Sequence, residues 1–523
     1  MSIVIEENKR FSDSAFWAAQ RAYYDTEGID AWAADVPFYV TSNPFIANCY
    51  ANVVIRFVQD WIVKNPDSEA QPFYILELGT GPGQFSYYLI KTLIAMQKRL
   101  GLTDIKFRYV MSDFTEKNIE FWRSHPRLKP YLDQGLLDFA MLDLENDTTI
   151  TLTEKGETLQ AGSLKNPLVV VANYIFDTLK SDIFTVEKSE LFESLTSLNT
   201  SPDNMESNKP RDWEKVEVTH KASSINGTYY DDANYNTVLE EFKQNLSESH
   251  FLFPIATLDA MKHLKAISND KMLVLCSDKG YSTLEEQDDL EYPELAFHGS
   301  FSVMVNFAAI SRYFKKSGGD AMLQTQREGI TTAVFASGLH FSDYPETSLA
   351  LDHYIEGFSP GDYFVLHDKI CNDNQKLKLE VYAALLSMSG WDPYVFDLVN
   401  ERMCELLDEE VDTDTLEYLS AHMQKIADNF YMVPEVEDCY CNIALFFHEA
   451  DKFEEAIPYY IESLKYFGET HVVLYNLGAC YHELDDNVKA LDFFKRSLDA
   501  DPSSKDAKDW IKKLENKSVN NVE

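Results

Sequence analysis

Phe73-Tyr74-Ile75-Leu76-Glu77-Leu78-Gly79-Thr80-Gly81-Pro82-Gly83-Gln84-Phe85 is the stretch whose reading decides the fold. An apolar run ends at an acidic residue, glycines follow at alternate positions, and a helical pattern then begins. Phe73 to Leu78 read as a buried parallel strand, because a short apolar run bounded by glycines suits a strand better than a helix. Phe85, Tyr88, Leu89, Ile90, Leu93 and Met96 recur at helical spacing. The glycines therefore join a strand to a helix through a turn that approaches a ligand closely. The dinucleotide fingerprint needs glycine at the first, third and sixth positions of such a turn, and Gln84 occupies the sixth.

Composition narrows the classes. A chain of 523 residues holds two or three domains, at about 100–200 residues each. Its 45% hydrophobic and 13% aromatic content supplies a real core and excludes a disordered chain. Forty-six basic against 86 acidic residues give a net charge of −40, the opposite of a nucleic-acid-binding surface and compatible with basic protein partners. The seven cysteines show no framework, and Cys439-Tyr440-Cys441 lacks the two to four intervening residues of a zinc pair, so neither disulfides nor a metal is expected. Glu6 and Glu7 argue against a secretory or mitochondrial leader. No run approaches the roughly 18 apolar residues of a membrane span. The expectation is a cytoplasmic protein.

Along the chain, residues 11 to 37 are aromatic-rich and read as helical. Thr41-Ser42-Asn43-Pro44 reads as a helix start, with a polar cap and proline at the first helical position. The helix that follows, Ile46 through Val63, carries Cys49, Val53, Phe57 and Trp61 on one face. Lys106 to Met111 form a second strand ending at Ser112-Asp113. Leu136 to Leu142 form a third, ending at Asp143-Leu144-Glu145. Pro167 to Tyr174 is an apolar fourth strand that leads into Ile175-Phe176-Asp177-Thr178-Leu179. Strands alternating with helices give an α/β, doubly wound, mainly parallel sheet of Rossmann-like type. Ligands of such sheets sit beyond the carboxyl ends of the strands, so Asn173, Tyr174 and Asp177 should border the reacting centre.

The Glu-x-Gly-x-Gly-x-Gly pattern of Glu77, Gly79, Thr80, Gly81 and Gly83 resembles the first motif of class I S-adenosylmethionine (SAM) methyltransferases, where the glycine turn lies under the methionine part of the cofactor. In that setting Asp113, at a strand end, suits the ribose hydroxyls. The resemblance also implies that Asp143 faces the adenine amino group.

A more specific resemblance is to the MidA family of SAM-dependent methyltransferases. Asn173-Tyr174-Ile175-Phe176-Asp177-Thr178-Leu179-Lys180 is similar to that family's Asn-Glu-x-x-Asp-Ala-Leu-Pro. Val305-Asn306-Phe307 through Gly318, with Gln324-Thr325-Gln326-Arg327-Glu328-Gly329, resembles its closing hairpin region. Together these span roughly residues 35 to 340. The resemblance implies methylation of a protein arginine. Tyr174 replaces the family's glutamate and Lys180 its proline. A glutamate holds a guanidinium through paired charge-assisted hydrogen bonds, whereas tyrosine offers one neutral hydrogen bond or an aromatic face. Methyl transfer from a sulfonium depends mainly on positioning. A base is needed only if the acceptor nitrogen arrives protonated, and Asp177 and His298, the latter on a Gly-Ser loop, are the candidates.

Residues 186 to 250 are Ser/Asn/Glu-rich and read as an insertion suited to a substrate lid, with Trp213 to Val218 alternating in strand fashion. Met272 to Tyr281 make a fifth strand with a turn. Ser302 to Phe307 and Thr331 to Phe335 complete the expected sheet. Beyond about residue 340 the pattern is helical. Asn442-Ile443-Ala444 through Tyr460 matches Asn476-Leu477-Gly478 through Phe494 at an offset of 34, which resembles a tetratricopeptide repeat. Degenerate helix pairs within 375 to 435 should complete the stack, and Trp510, Ile511 and Leu514 a capping helix.

The expected domains are 1–345 with the insertion, a connector over 346–434, repeats and cap over 435–516, and a disordered tail over 517–523. The expected activity is SAM-dependent methylation of a protein side chain, with the repeat groove recruiting a protein partner and no nucleic acid or membrane involved. The alternatives are a non-catalytic SAM-binding scaffold and a small-molecule methyltransferase.

Overall fold

The computed structural model describes residues 2–31, 39–324, 329–372, 377–407 and 412–520. Residues 325–328 of the Thr-Gln block lie outside them. The chain divides into two compact units, Met1–Leu366 and His367–Glu523.

The first unit is built on a seven-stranded sheet of β1 (Phe73–Glu77), β2 (Phe107–Asp113), β3 (Leu137–Met141), β4 (Leu168–Asn173), β5 (Met272–Asp278), β6 (Asp320–Leu323) and β7 (Thr331–Ser337). Their order is β6-β7-β5-β4-β1-β2-β3. The first five run parallel; β7 lies antiparallel to β5, and β6 to β7. Strand order reverses at β1, where Glu77 lies between Met111 of β2 and Val171 of β4. Such a switch point opens a crevice at the carboxyl ends of the strands. β1, β4 and β5 are apolar because helices cover both faces.

Three helices come early in this unit: α1 (Ala15–Glu27), α2 (Pro44–Lys64) and α3 (Gln84–Arg99). Asn43 caps α2 by accepting from the Ile46 N–H, as its sequence suggests. Asp60 on α2 accepts from both the backbone N–H and the hydroxyl of Thr347, each at 2.8 Å. That buried link ties the helix Pro345–Leu351, which lies within the first unit, to α2.

The expected insertion is an ordered antiparallel sheet. Strands Asp182–Glu187, Glu190–Thr200, Glu217–Ser224 and Ser249–Phe253 are joined by Ile3–Lys9 from the amino-terminal end. Trp213–Lys215 is a 3₁₀ turn, and the strand begins only at Glu217. Ser302 to Phe307 is corrected too. Val305–Asn306 pairs with Gly280–Tyr281 outside the central sheet, and Asn306 caps the helix Phe307–Lys316. The edge position belongs to β6.

The second unit is helical. Cys439–Glu449 pairs with Phe453–Phe467, and His471–Glu483 with Asn487–Ala500. Buried Ala444 and Tyr460 in one pair correspond to Gly478 and Phe494 in the next. Phe494 stacks on Trp510 of the final helix Lys505–Asn520, with planes 4° apart. That helix runs into the expected tail; residues 521–523 lie outside the described ones. Helices Leu379–Met388, Pro393–Leu407, Thr413–Ser420 and Met423–Asn429 precede the repeats. Among the described residues no helix is long and apolar enough to cross a membrane.

Candidate active site

The turn after β1 takes left-handed angles at Gly79, Gly81 and Gly83, with φ of 55°, 59° and 84°. At Gly79 a Cβ would also stand 2.5 Å from Ile175 Cδ1, so the position favours glycine on both counts. Thr80 ties the turn to β2: its N–H donates to the Ser112 carbonyl at 2.9 Å and its Oγ1 accepts from the Ser112 N–H at 3.1 Å. The Gly81 carbonyl accepts from Trp122 Nε1 at 2.8 Å. Glu77 faces inward. Its carboxylate accepts from Ser86 Oγ and, at 2.7 Å, from the Tyr109 hydroxyl. Burial pushes its pKa up to about 7.

Beyond the turn lies a cavity of about 620 Å³, lined by Gly79, Asp113, Asp143 and Tyr174 among the residues expected from sequence. Glu77, Thr80, Gly81 and Gly83 shape the turn without lining the cavity. Asp113 accepts from the Thr115 N–H (3.0 Å), Thr115 Oγ1 (3.1 Å) and Asn118 Nδ2 (2.9 Å). Burial raises its pKa despite these bonds. The Gly81 backbone N–H also bonds to Asp113, which ties the carboxylate to the glycine turn. Asn118 also lines the cavity, and its buried Oδ1 has no hydrogen-bond partner.

Asp143 is reached from α1. Arg21 Nη2 donates to it at 2.6 Å, while Asn146 Nδ2 at 2.7 Å and the Glu145 N–H at 3.1 Å add to the cradle. Burial, the largest single influence, opposes ionisation, but the hydrogen bonds from Arg21, Asn146 and the Glu145 N–H, with the Arg21 charge, together outweigh it and the Asp143 pKa falls below its ordinary value. The same guanidinium lies over the Phe114 ring, 4.8 Å from its centroid. Trp17, Gln20, Arg21, Tyr24 and Gly28 form the α1 side of the cavity. Sequence reasoning missed them, although Trp17, Gln20, Arg21 and Tyr24 fall at i, i+3, i+4 and i+7, one helical stripe.

The catalytic candidates part company. Tyr174 lines the cavity with a left-handed φ of 46°. Asn173 is occupied structurally: its Oδ1 accepts from the Tyr50 hydroxyl at 2.9 Å and the Ser277 N–H at 3.1 Å, and its Nδ2 donates to the Thr41 carbonyl at 3.3 Å. Asp177 lies in the 3₁₀ turn Phe176–Thr178, is buried, and does not line the cavity, whereas Ile175 and Thr178 do. Its N–H donates to Asp278 at 3.2 Å, its Oδ2 lies 3.9 Å from Lys279 Nζ, and its Oδ1 has no partner. Burial raises the Asp177 pKa to about 6, against the lowering charge of Lys279. Asp278 is raised as well, by burial and by Asp177. Burial raises the pKa of the Tyr24 and Tyr174 hydroxyls, and the charge of Asp177 adds to it at both, that of Asp278 at Tyr174. His298 is exposed at the end of the hairpin Ala296–His298/Ser300–Ser302 and does not line the cavity. Lys180 does, paired with Glu145 at 2.8 Å.

Comparison with known proteins adds two findings. Residues 436–503 match the tetratricopeptide repeat family model. The 34-residue period is thereby borne out over those residues. The solved structures found similar include a COG1565 superfamily protein from Burkholderia thailandensis, at 13% identity and TM-score 0.35, covering 62% of this chain and 93% of that one. A COG1565 superfamily member and candidate methyl transferase from the same organism, bound to S-adenosyl-homocysteine, has 12% identity and TM-score 0.39, covering 62% and 87%. The magnesium protoporphyrin IX methyltransferase of Synechocystis with bound SAM has 10% identity and TM-score 0.27, covering 62% and 97%. No curated protein matches the chain.

Proposed function

We propose that the first unit is a SAM-dependent methyltransferase acting on a protein side-chain nitrogen, and that the helical unit recruits the protein. The observation that carries the reading is the cavity at the β1 switch point, whose wall includes both Gly79 and Asp113. The residues present suit an adenosyl group. At about 620 Å³ the cavity falls within the roughly 300–1,000 Å³ of small-ligand sites. Asp113 lines the wall, and Asn118, bonded to it, offers an unpartnered buried carbonyl that can accept from a ribose hydroxyl. Cofactors of this class supply a methyl group on a sulfonium, which a nucleophile displaces in line.

The chain's own residues bind and orient. Gly79 lets the backbone approach the ligand, and Arg21 with Phe114 closes the Asp143 end. Tyr174, kept protonated, presents a neutral hydroxyl or its ring to the acceptor. Asp177 is best read as a positioning group, fixing the Tyr174 segment from behind through Asp278 and Lys279. Arginine is the acceptor that the family resemblance implies, and Tyr174 removes one carboxylate that would have paired with a guanidinium. The inward-turned Asp177 favours a second reading, a unit that binds SAM without transferring its methyl group.

Transfer of a labelled methyl group from SAM to lysate proteins separates the two. Labelled protein that disappears with the Gly79→Arg variant supports catalysis. A chain that binds S-adenosylhomocysteine yet labels nothing supports the second reading.

A further inference from the structure

The helical unit carries a groove outside residues 436–503. It lies between the helices Leu379–Met388 and Thr413–Ser420 and has a volume of about 600 Å³. One wall is the stripe Glu380, Ala383, Ala384, Ser387 and Met388, spaced as one helical face. Three of those five side chains are very small, so another helix can come close; interaxial distances of about 8–10 Å depend on such contacts. The other wall presents Tyr418, which is 41% exposed. Its ring is held, packing against His422 at 4.5 Å and Trp391 at 5.7 Å, with Trp391 and His422 stacked 10° apart. A held, accessible aromatic ring is the usual anchor of a protein interface.

Charge identifies the occupant. Residues 391–449 contain 15 acidic and two basic side chains. Glu380 and Asp414 line the groove itself and are exposed. Lys378, 3.7 Å from Glu380, forms a mostly exposed pair that neutralises little. A second copy of the chain would bring the same negative helices, which opposes self-association on this face.

We propose that this groove docks a basic amphipathic helix of a partner protein. Its apolar side lies along Ala383, Ala384, Met388 and Tyr418, and its Lys/Arg side chains face Glu380 and Asp414. The proposal rests on the helical unit being the recruiting module and is independent of the cofactor.

Fluorescence anisotropy of the full chain with a labelled Leu/Lys peptide of about 18 residues, five helical turns, tests it. The expected result is binding at least about tenfold tighter than that of a Leu/Glu peptide of the same pattern, or of the Leu/Lys composition scrambled to lose its apolar face. Ala384→Arg, at an exposed position, should weaken binding by about tenfold or more, and so should the charge reversal Glu380→Lys/Asp414→Lys. S-adenosylhomocysteine titration of the same variants reports the cofactor site separately and should not change. Absence of peptide binding, equal binding of the scrambled peptide, or indifference to both variants would overturn the proposal. Self-association seen by sedimentation and abolished by Ala384→Arg would give the groove to a second copy instead.

Discussion

Gly79→Ala perturbs the backbone and the cavity wall together. A residue with a Cβ at φ +55° pays roughly 1–2 kcal/mol in left-handed conformation. The new methyl would stand 2.5 Å from Ile175 Cδ1, the free end of a flexible chain, so Ile175 turns aside at a cost of about 0.5–1.5 kcal/mol. The sum is about 1.5–3.5 kcal/mol. A unit of 366 residues unfolds with an entropy of about 0.8 kcal/mol/K, so its transition should fall by about 3 °C. Gly79 and Ile175 both line the cavity. Affinity for S-adenosylhomocysteine should therefore fall by about tenfold or more, or roughly 1.4 kcal/mol. Differential scanning and titration calorimetry read the two effects. Gly101→Ala is the control: φ is +69° and nothing lies within 4 Å of the added atom. It should lower the transition by about 1–2 °C and leave affinity unchanged. Wild-type affinity in Gly79→Ala would refute the placement of the cofactor over this turn.

Three further outcomes are expected. Glu77 titrates at about 7 in the fold against an ordinary 4.5, so the folded state holds its proton longer. The stability from neutral Glu77 is complete below about pH 4.5 and is lost as pH rises to about 7. The melting difference between wild type and Glu77→Gln should shrink or reverse over that window; a constant difference would contradict a buried neutral carboxyl. Asp177→Asn should keep cofactor affinity within about twofold and turnover within about threefold, since the carboxylate lies off the cavity wall; a loss of turnover of about tenfold or more at unchanged affinity would make it the base. At Gly478 a Cβ would stand 2.8 Å from the Phe494 ring, so Gly478→Leu should destabilise the helical unit by about 1–3 kcal/mol or more while cofactor binding persists. Coupled loss of binding would argue against two independently built units.

The sheet was legible where local signals agreed. An apolar run, alternate glycines and a helical stripe in 73–96 admit one reading, and β2 to β5 follow from similar runs. Ser302 to Phe307 misled because its apolar residues suit a strand equally well, while Asn306 caps a helix that begins at Phe307. Ile3–Lys9 is a largely exposed strand with three apolar residues, and only its partner Glu190–Thr200 makes it one. Asp113 and Asp143 were legible as strand-end carboxylates, but their partners were not. Arg21 lies 122 positions from Asp143, and no local pattern announces that pairing. Asp177 shows the converse. Its place after β4 was correct, yet one 3₁₀ turn directs its carboxylate behind the wall.

Calorimetric titration of the purified chain with S-adenosylhomocysteine tests the central claim most directly. The account predicts one site per chain with micromolar affinity, weakened in Gly79→Ala and unchanged in Gly101→Ala. Absence of binding by a sample that still shows its cooperative thermal transition would contradict the cofactor site, and with it the methyltransferase reading.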